Sequence, residues 1–152
     1  GYLERARAYA EELSADLAAL SKERDYSKPN VVLRSTLIGE VEKKNVLLVD
    51  DIVDGAGSAV AAIEELKERG ANNIVLACIH PLMSADAWDR LSAVKARSEK
   101  EAWEFDFVGC STVEHPDAPD WYHTFRIEKL VATILLKINS RGSVSQVQRD
   151  RE

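Results

Sequence analysis

The feature that most constrains this 152-residue chain is a central stretch in which two apolar runs bracket one helical stripe. Val46-Leu47-Leu48-Val49 is a continuous run of β-formers; Asp50-Asp51 ends it, and a small-residue turn, Gly55-Ala56-Gly57, comes soon after. Ala59, Val60, Ile63 and Leu66 then recur at helical spacing up to Gly70, a residue suited to the position just past a helix end. Ile74-Val75-Leu76-Ala77-Cys78-Ile79 is the second run. A strand, helix, strand unit of about thirty residues predicts two parallel strands joined by a right-handed crossover. Neither run alternates polar with apolar, so both strands are expected to be buried on both faces.

The flanks read less sharply. Leu3, Ala6, Ala10 and Leu13 mark one face of an opening helix. Residues 16–20 suit either a short strand or more helix. Residues 21–30, SKERDYSKPN, read as an exposed, mobile loop, with short extended pieces at Val31-Val32-Leu33 and Leu37-Ile38-Gly39. A helix is expected around Ala85–Leu91, then a charged segment, Lys95–Glu104, then a strand, Phe105–Cys110. Glu114–Asp120 reads as a loop. A strong helix follows, with Ile127, Leu130, Val131, Ile134, Leu135 and Ile138 as its stripe and Gly142 at its close. The fold class is α/β, a mainly parallel sheet flanked by helices.

Composition narrows the functions open to such a fold. The length suits one domain. With 26 acidic and 20 basic residues the net charge is −6, and no Lys/Arg-rich block supplies the footprint that duplex nucleic-acid binding requires. No apolar run is long enough for a membrane span, and the charged amphipathic N-terminus is unlike a secretory signal, so a cytoplasmic location is expected. Cys78 and Cys110 lack metal-ligand spacing and read as reduced core residues. A chain that enters helix at Gly1 and Tyr2 without an initiator Met is expected to be part of a longer protein.

The chemistry gathers in VLLVDDIVDGAGSAV. Its acidic pair stands at the carboxyl end of a parallel strand, where open α/β sheets bind ligands. Asp54-Gly55-Ala56-Gly57-Ser58 leads into a helix, whose N–H groups and dipole favour a phosphate, with the Ser58 hydroxyl as an added donor. Carboxylates beside such a cradle repel a bare phosphate, so Asp50 and Asp51 are assigned to sugar hydroxyls or to Mg²⁺. A sugar phosphate meets both requirements. The P-loop pattern is absent, and Val60 occupies the third glycine's place in a dinucleotide fingerprint. A response-regulator receiver would need a phosphoacceptor Asp at a later strand end, where His80 and Pro81 stand instead.

Val49 through Ser58 resemble the phosphoribosyl-diphosphate loop of the type I phosphoribosyltransferase fold. Within it they are most similar to the ribose-phosphate diphosphokinase family, whose loop reads Asp-Asp-Ile-Ile-Asp-Thr-Ala-Gly-Thr. Lys22-Glu23-Arg24 resembles that family's Lys-Arg-Arg flexible loop, Ile38-Gly39-Glu40-Val41 its Ile-Gly-Asp-Val, Cys78-Ile79-His80 its Cys/Ala-Thr-His, and Gly142-Ser143-Val144-Ser145 its closing Gly-x-Ser-x-Ser. The resemblance spans about residues 3–147 and implies a phosphoribosyltransferase-like C-terminal domain over 1–147, with 148–152 a frayed tail.

The resemblance also implies an activity: transfer of a diphosphoryl group from ATP to ribose 5-phosphate, with Mg²⁺, giving phosphoribosyl diphosphate and AMP. Asp50 and Asp51 would contact ribose hydroxyls or the metal, Asp54, Gly55, Ala56, Gly57 and Ser58 would hold the 5-phosphate, and Lys22 and Arg24 would be the catalytic cations. His80 has a family counterpart, and Ser111 and Thr112 end a strand that could face the site. The N-terminal half that completes the family's ATP site is absent from this chain, so the domain alone is expected to be inactive and the full-length protein a homo-oligomer. Glu23, in place of a basic residue, and Gly55, in place of Thr, favour a rival: a non-catalytic, synthetase-associated regulatory homologue. A base phosphoribosyltransferase is a second rival.

Overall fold

The computed structural model describes residues 2–24 and 32–149, with side chains from Ala6 onward except at 21–24, 32–36 and 148–149. Its elements run α1 (Tyr2–Glu12), β1 (Ala19–Arg24), β2 (Val32–Ile38), β3 (Val46–Val53), α2 (Gly57–Glu68), β4 (Ile74–Pro81), α3 (Ala87–Lys100), β5 (Phe105–Cys110), β6 (Tyr122–Phe125), α4 (Glu128–Asn139) and α5 (Val144–Arg149). Strands β3, β4, β5 and β6 form one parallel sheet in that order, while β1 and β2 pair as a separate antiparallel hairpin. The strand, helix, strand unit is β3-α2-β4, with Val46 opposite Ile74 and Val53 opposite Pro81.

Burial departs from the expectation for the central strands. Along β4 the buried residues alternate, Ile74, Leu76 and Cys78 inward and Val75, Ala77 and Ile79 half-buried, and β5 repeats this with Phe105 and Phe107 inward. In β3 only Val53 is fully buried, and Leu47 is 44% exposed. Ala59, Ile63 and Leu66 of α2 and Ala87, Leu91 and Val94 of α3 join the inward residues in one core. Each large core side chain contributes about 1.5–3 kcal/mol by leaving water. An apolar strand sequence therefore does not imply two covered faces.

Three sequence expectations are corrected. Residues 21–24 continue β1 rather than open a loop, and Val32–Ile38 is one strand; residues 25–31 lie outside the described set. Most of Lys95–Glu104 is α3, whose inward series Ala87, Leu91, Val94 and Ser98 ends on a serine. Ser98 is fully buried and donates to the Lys95 carbonyl at 2.8 Å, so the helix continues where the apolar pattern stops. Strand β6 has no counterpart in the sequence expectations, because only Tyr122 of its four residues is buried.

Gly70, at φ +82°, does close α2, and Ala71 N–H bonds the Leu66 carbonyl at 3.0 Å. At the end of α4, Arg141 rather than Gly142 takes the left-handed conformation, φ +55°. Residues 144–149 then form the short helix α5, with Val147 buried, where polarity suggests a frayed end beginning at 148; residues 150–152 lie outside the described set. The apolar stripe of α4 is not in the core: no residue of the helix is fully buried, and Leu135, Leu136 and Ile138 are exposed. Between α1, residues 15–20, β3 and α2 runs an apolar groove of about 630 Å³, lined by Tyr9, Leu17, Leu20, Leu48 and Leu66 among others.

Candidate functional site

Strand β3 carries the acidic pair inside its length rather than beyond its end, because the strand runs on to Val53. As strand neighbours, Asp50 and Asp51 point to opposite faces. Asp50 reaches the groove and its Oδ1 accepts from the Asp51 amide at 2.9 Å, while Asp51 is exposed. Among the described residues no three His, Cys, Asp or Glu side chains gather as a metal cage.

The turn from β3 into α2 is held by the segment after β4. The amides of Leu82 and Met83 both donate to the Val53 carbonyl, at 2.8 and 3.1 Å, and the Ser84 amide donates to the Asp54 carbonyl at 3.1 Å. The Ser84 hydroxyl also bonds the Asp54 carboxylate. Asp54 is thereby a brace for the turn. Next comes Gly55, where an added Cβ would meet nothing within 4 Å. Its neighbour Ala56 adopts the left-handed conformation, φ 57° and ψ −1°, as the residue before α2, and is buried.

Helix α2 opens without a side-chain cap at Ala56 and without an acidic residue in its first turn. Two devices that usually neutralise the positive end of a helix dipole are thus missing at the turn carrying Gly55, Gly57 and Ser58. A phosphate is suited to such an end, since backbone N–H groups and the dipole act on it together. Ser58 is exposed in the same first turn.

The other sequence candidates have varied fates. His80 is exposed near the end of β4, opposite Ile52 of β3, close to the turn in the sheet. Ser111 and Thr112 are taken up structurally: the Ile127 amide donates to Ser111 Oγ at 3.0 Å, and Thr112 Oγ donates to the Ile79 carbonyl at 3.1 Å. Lys22 and Arg24 belong to the β1-β2 hairpin, opposite Ser35 and Val32, and only their backbone is described.

Both cysteines are free; burial pushes the Cys78 thiol up to about 11 and raises that of Cys110, so neither is poised as a nucleophile.

The profile of one family, the phosphoribosyl transferase domain, matches residues 3–129. The chain belongs to that family. Among curated relatives of this phosphoribosyl transferase domain, the ribose-phosphate pyrophosphokinase of Thermosipho africanus is 33% identical over 95% of the chain, and that of Halalkalibacterium halodurans 30% identical over 95%. Each alignment covers 43% of the relative, so the chain spans less than half the length of these proteins. A crystal structure of phosphoribosylpyrophosphate synthetase from Mycobacterium smegmatis superposes with a TM-score of 0.72, covering 92% of this chain and 42% of that one at 22% identity, which supports the fold.

Two participants in the phosphoribosyl transferase loop carry no sequence signal, Ser84 and Arg90. Ser84 lies thirty positions from Asp54 and Arg90 thirty-five from Gly55, so only the fold brings them to the turn.

Proposed function

We propose that the chain binds ribose 5-phosphate at residues 54–58 and serves as the sugar-phosphate domain of a ribose-phosphate diphosphokinase, which forms phosphoribosyl diphosphate and AMP from ribose 5-phosphate and ATP. The observation that carries the reading is the uncapped start of α2 behind Ala56, with open space over Gly55. In support, the relatives that cover nearly the whole chain bear the name ribose-phosphate pyrophosphokinase. The 5-phosphate occupies the turn and Ser58, and the Asp50 or Asp51 carboxylate accepts from the ribose hydroxyls.

Mg²⁺ keeps several waters and is commonly held by one or two carboxylates together with substrate phosphates. One of Asp50 and Asp51, completed by the diphosphate, fits that donor set without a protein cage. When bound, the ion neutralises charge on the transferred group. Lys22 and Arg24 are assigned the remaining charge stabilisation, a positioning and electrostatic task. The ATP site needs residues this chain does not supply, so the domain alone binds without turning over. We also place the protein in the cytoplasm, as a homo-oligomer, a reading of its assembly that the exposed apolar face of α4 supports.

Calorimetry of the chain with ribose 5-phosphate is the test. Binding is expected, with sulfate competing, and Asp54→Ala weakening it by about tenfold as the brace to Ser84 is lost. Absence of binding sinks the reading. In a longer protein containing this chain, AMP formation that depends on ribose 5-phosphate excludes the non-catalytic role that Glu23 favours. Chelation with EDTA should stop that turnover while leaving sugar-phosphate binding in place.

A further inference from the structure

The guanidinium of Arg90 sits directly behind the turn. From α3 its Nη1 donates to the Gly55 carbonyl at 3.0 Å, and its Nε and Nη2 both lie 3.0 Å from Asp86 Oδ2, one helical turn earlier. An added Cβ on Gly57 would stand 3.1 Å from the same Nη1. One side chain therefore lies against both glycines of the Gly55-Ala56-Gly57 turn, while Asp86 fixes its direction.

From this we infer that Arg90 is a positioning residue for the anion site, acting through the Gly55 backbone rather than by touching the ligand; the inference rests on residues 54–58 being that site. A peptide group directs its carbonyl and its N–H oppositely. Anchoring the Gly55 carbonyl on Arg90 therefore fixes the direction of the Ala56 N–H, which belongs to the same trans peptide and points the opposite way, and keeps a negative oxygen from turning toward a bound anion. Ala56 shows what this geometry demands, since its left-handed conformation is one that L residues adopt at a cost of about 1–2 kcal/mol. Something outside the turn must hold it there.

Two anchors do so: Ser84 on Asp54 at one end and Arg90 on Gly55 in the middle. Both come from the chain between β4 and α3 or from α3 itself, so the cradle is shaped by its neighbour in the sheet rather than by its own sequence. Arg90 also lies close to Gly57: a Cβ there would press on Nη1, and the guanidinium would have to give by a few tenths of an ångström. Charge plays the smaller part, because Arg90 is half exposed and its field is screened.

The test compares wild type with Arg90→Met and Arg90→Lys by calorimetry with ribose 5-phosphate and with inorganic sulfate, and by amide and carbonyl NMR shifts of Gly55, Ala56 and Gly57 without ligand. Arg90→Met should weaken both ligands by a similar factor, about tenfold, the size expected for one hydrogen bond to a charged group. It should move the turn's shifts while leaving the spectrum of β4 and β5 unchanged. Lysine keeps the charge but not the fork that holds Gly55 and Asp86 together, so Arg90→Lys should recover less than half of the lost binding energy. Full recovery in Arg90→Lys would replace the positioning role with a purely electrostatic one and overturn the inference. Unchanged shifts and affinity in Arg90→Met would overturn it as well. If wild type itself binds neither ligand, the site assignment has failed, a result distinct from either of these.

Discussion

A Cβ added to Gly109 would stand 2.5 Å from the phenol oxygen of Tyr122 and 2.8 Å from Cγ of Pro81. Strand β5 can pass between its neighbours at that point only because it has no side chain there. Gly109→Ala is expected to destabilise the protein by about 2–3 kcal/mol, read by urea denaturation. The Tyr122 hydroxyl is buried and has no hydrogen-bond partner among the described residues. Tyr122→Phe should therefore cost less than about 1 kcal/mol and should recover part of the loss when combined with Gly109→Ala. Simple additivity of the two would contradict the contact.

Cys78 gives a pH dependence of known sign. Burial is the main cause holding its thiol neutral up to about 11, above the ordinary value of 9.0. Since the folded value is raised, the contribution is fully present below pH 9, where both states keep the proton. It is lost as pH rises from 9 to 11, where only the unfolded chain ionises freely. The loss should be on the order of 2 kcal/mol. Comparing wild type with Cys78→Ala across that range isolates it, and two parallel curves would refute it.

How much of this is legible beforehand depends on how each element is buried. The β3-α2-β4 unit can be read because each strand opens on an unbroken apolar run, Val46–Val49 and Ile74–Ile79, and α2 buries four residues in helical register. The last turns of α3 are hidden because a buried serine satisfied by its own helix ends the apolar series, and β6 because one tyrosine carries it. The loop residues are legible as a motif. What holds them in shape is not, because Ser84 and Arg90 become neighbours of the turn only through the parallel pairing of β3 with β4.

Ala56 offers a check on the turn that does not depend on any ligand. It combines a left-handed backbone with a buried methyl group. Ala56→Gly relieves the first and removes the second, so its effect on thermal stability should stay within about 1 kcal/mol. Ala56→Val places a β-branched side chain at positive φ and should cost at least about 2 kcal/mol. Equal effects from the two would argue against the observed conformation.

The apolar face of α4 should tolerate charge. Leu136 is 70% exposed, and Leu135 and Ile138 are nearly as open. Leu136→Lys is expected to change the unfolding free energy by less than about 0.5 kcal/mol. A loss of several kcal/mol in a strictly monomeric sample would show that the helix packs elsewhere.

The groove beside β3 has a practical consequence. Among the described residues β3 is paired only on its β4 side, and the space along its other edge is apolar. A sheet edge next to apolar walls is a template for any extended segment that drifts by, including one from a partly unfolded copy of the same chain. In solution the polypeptide should lose monomer with rising concentration, and its shelf life will be governed by that edge sooner than by the strength of the core.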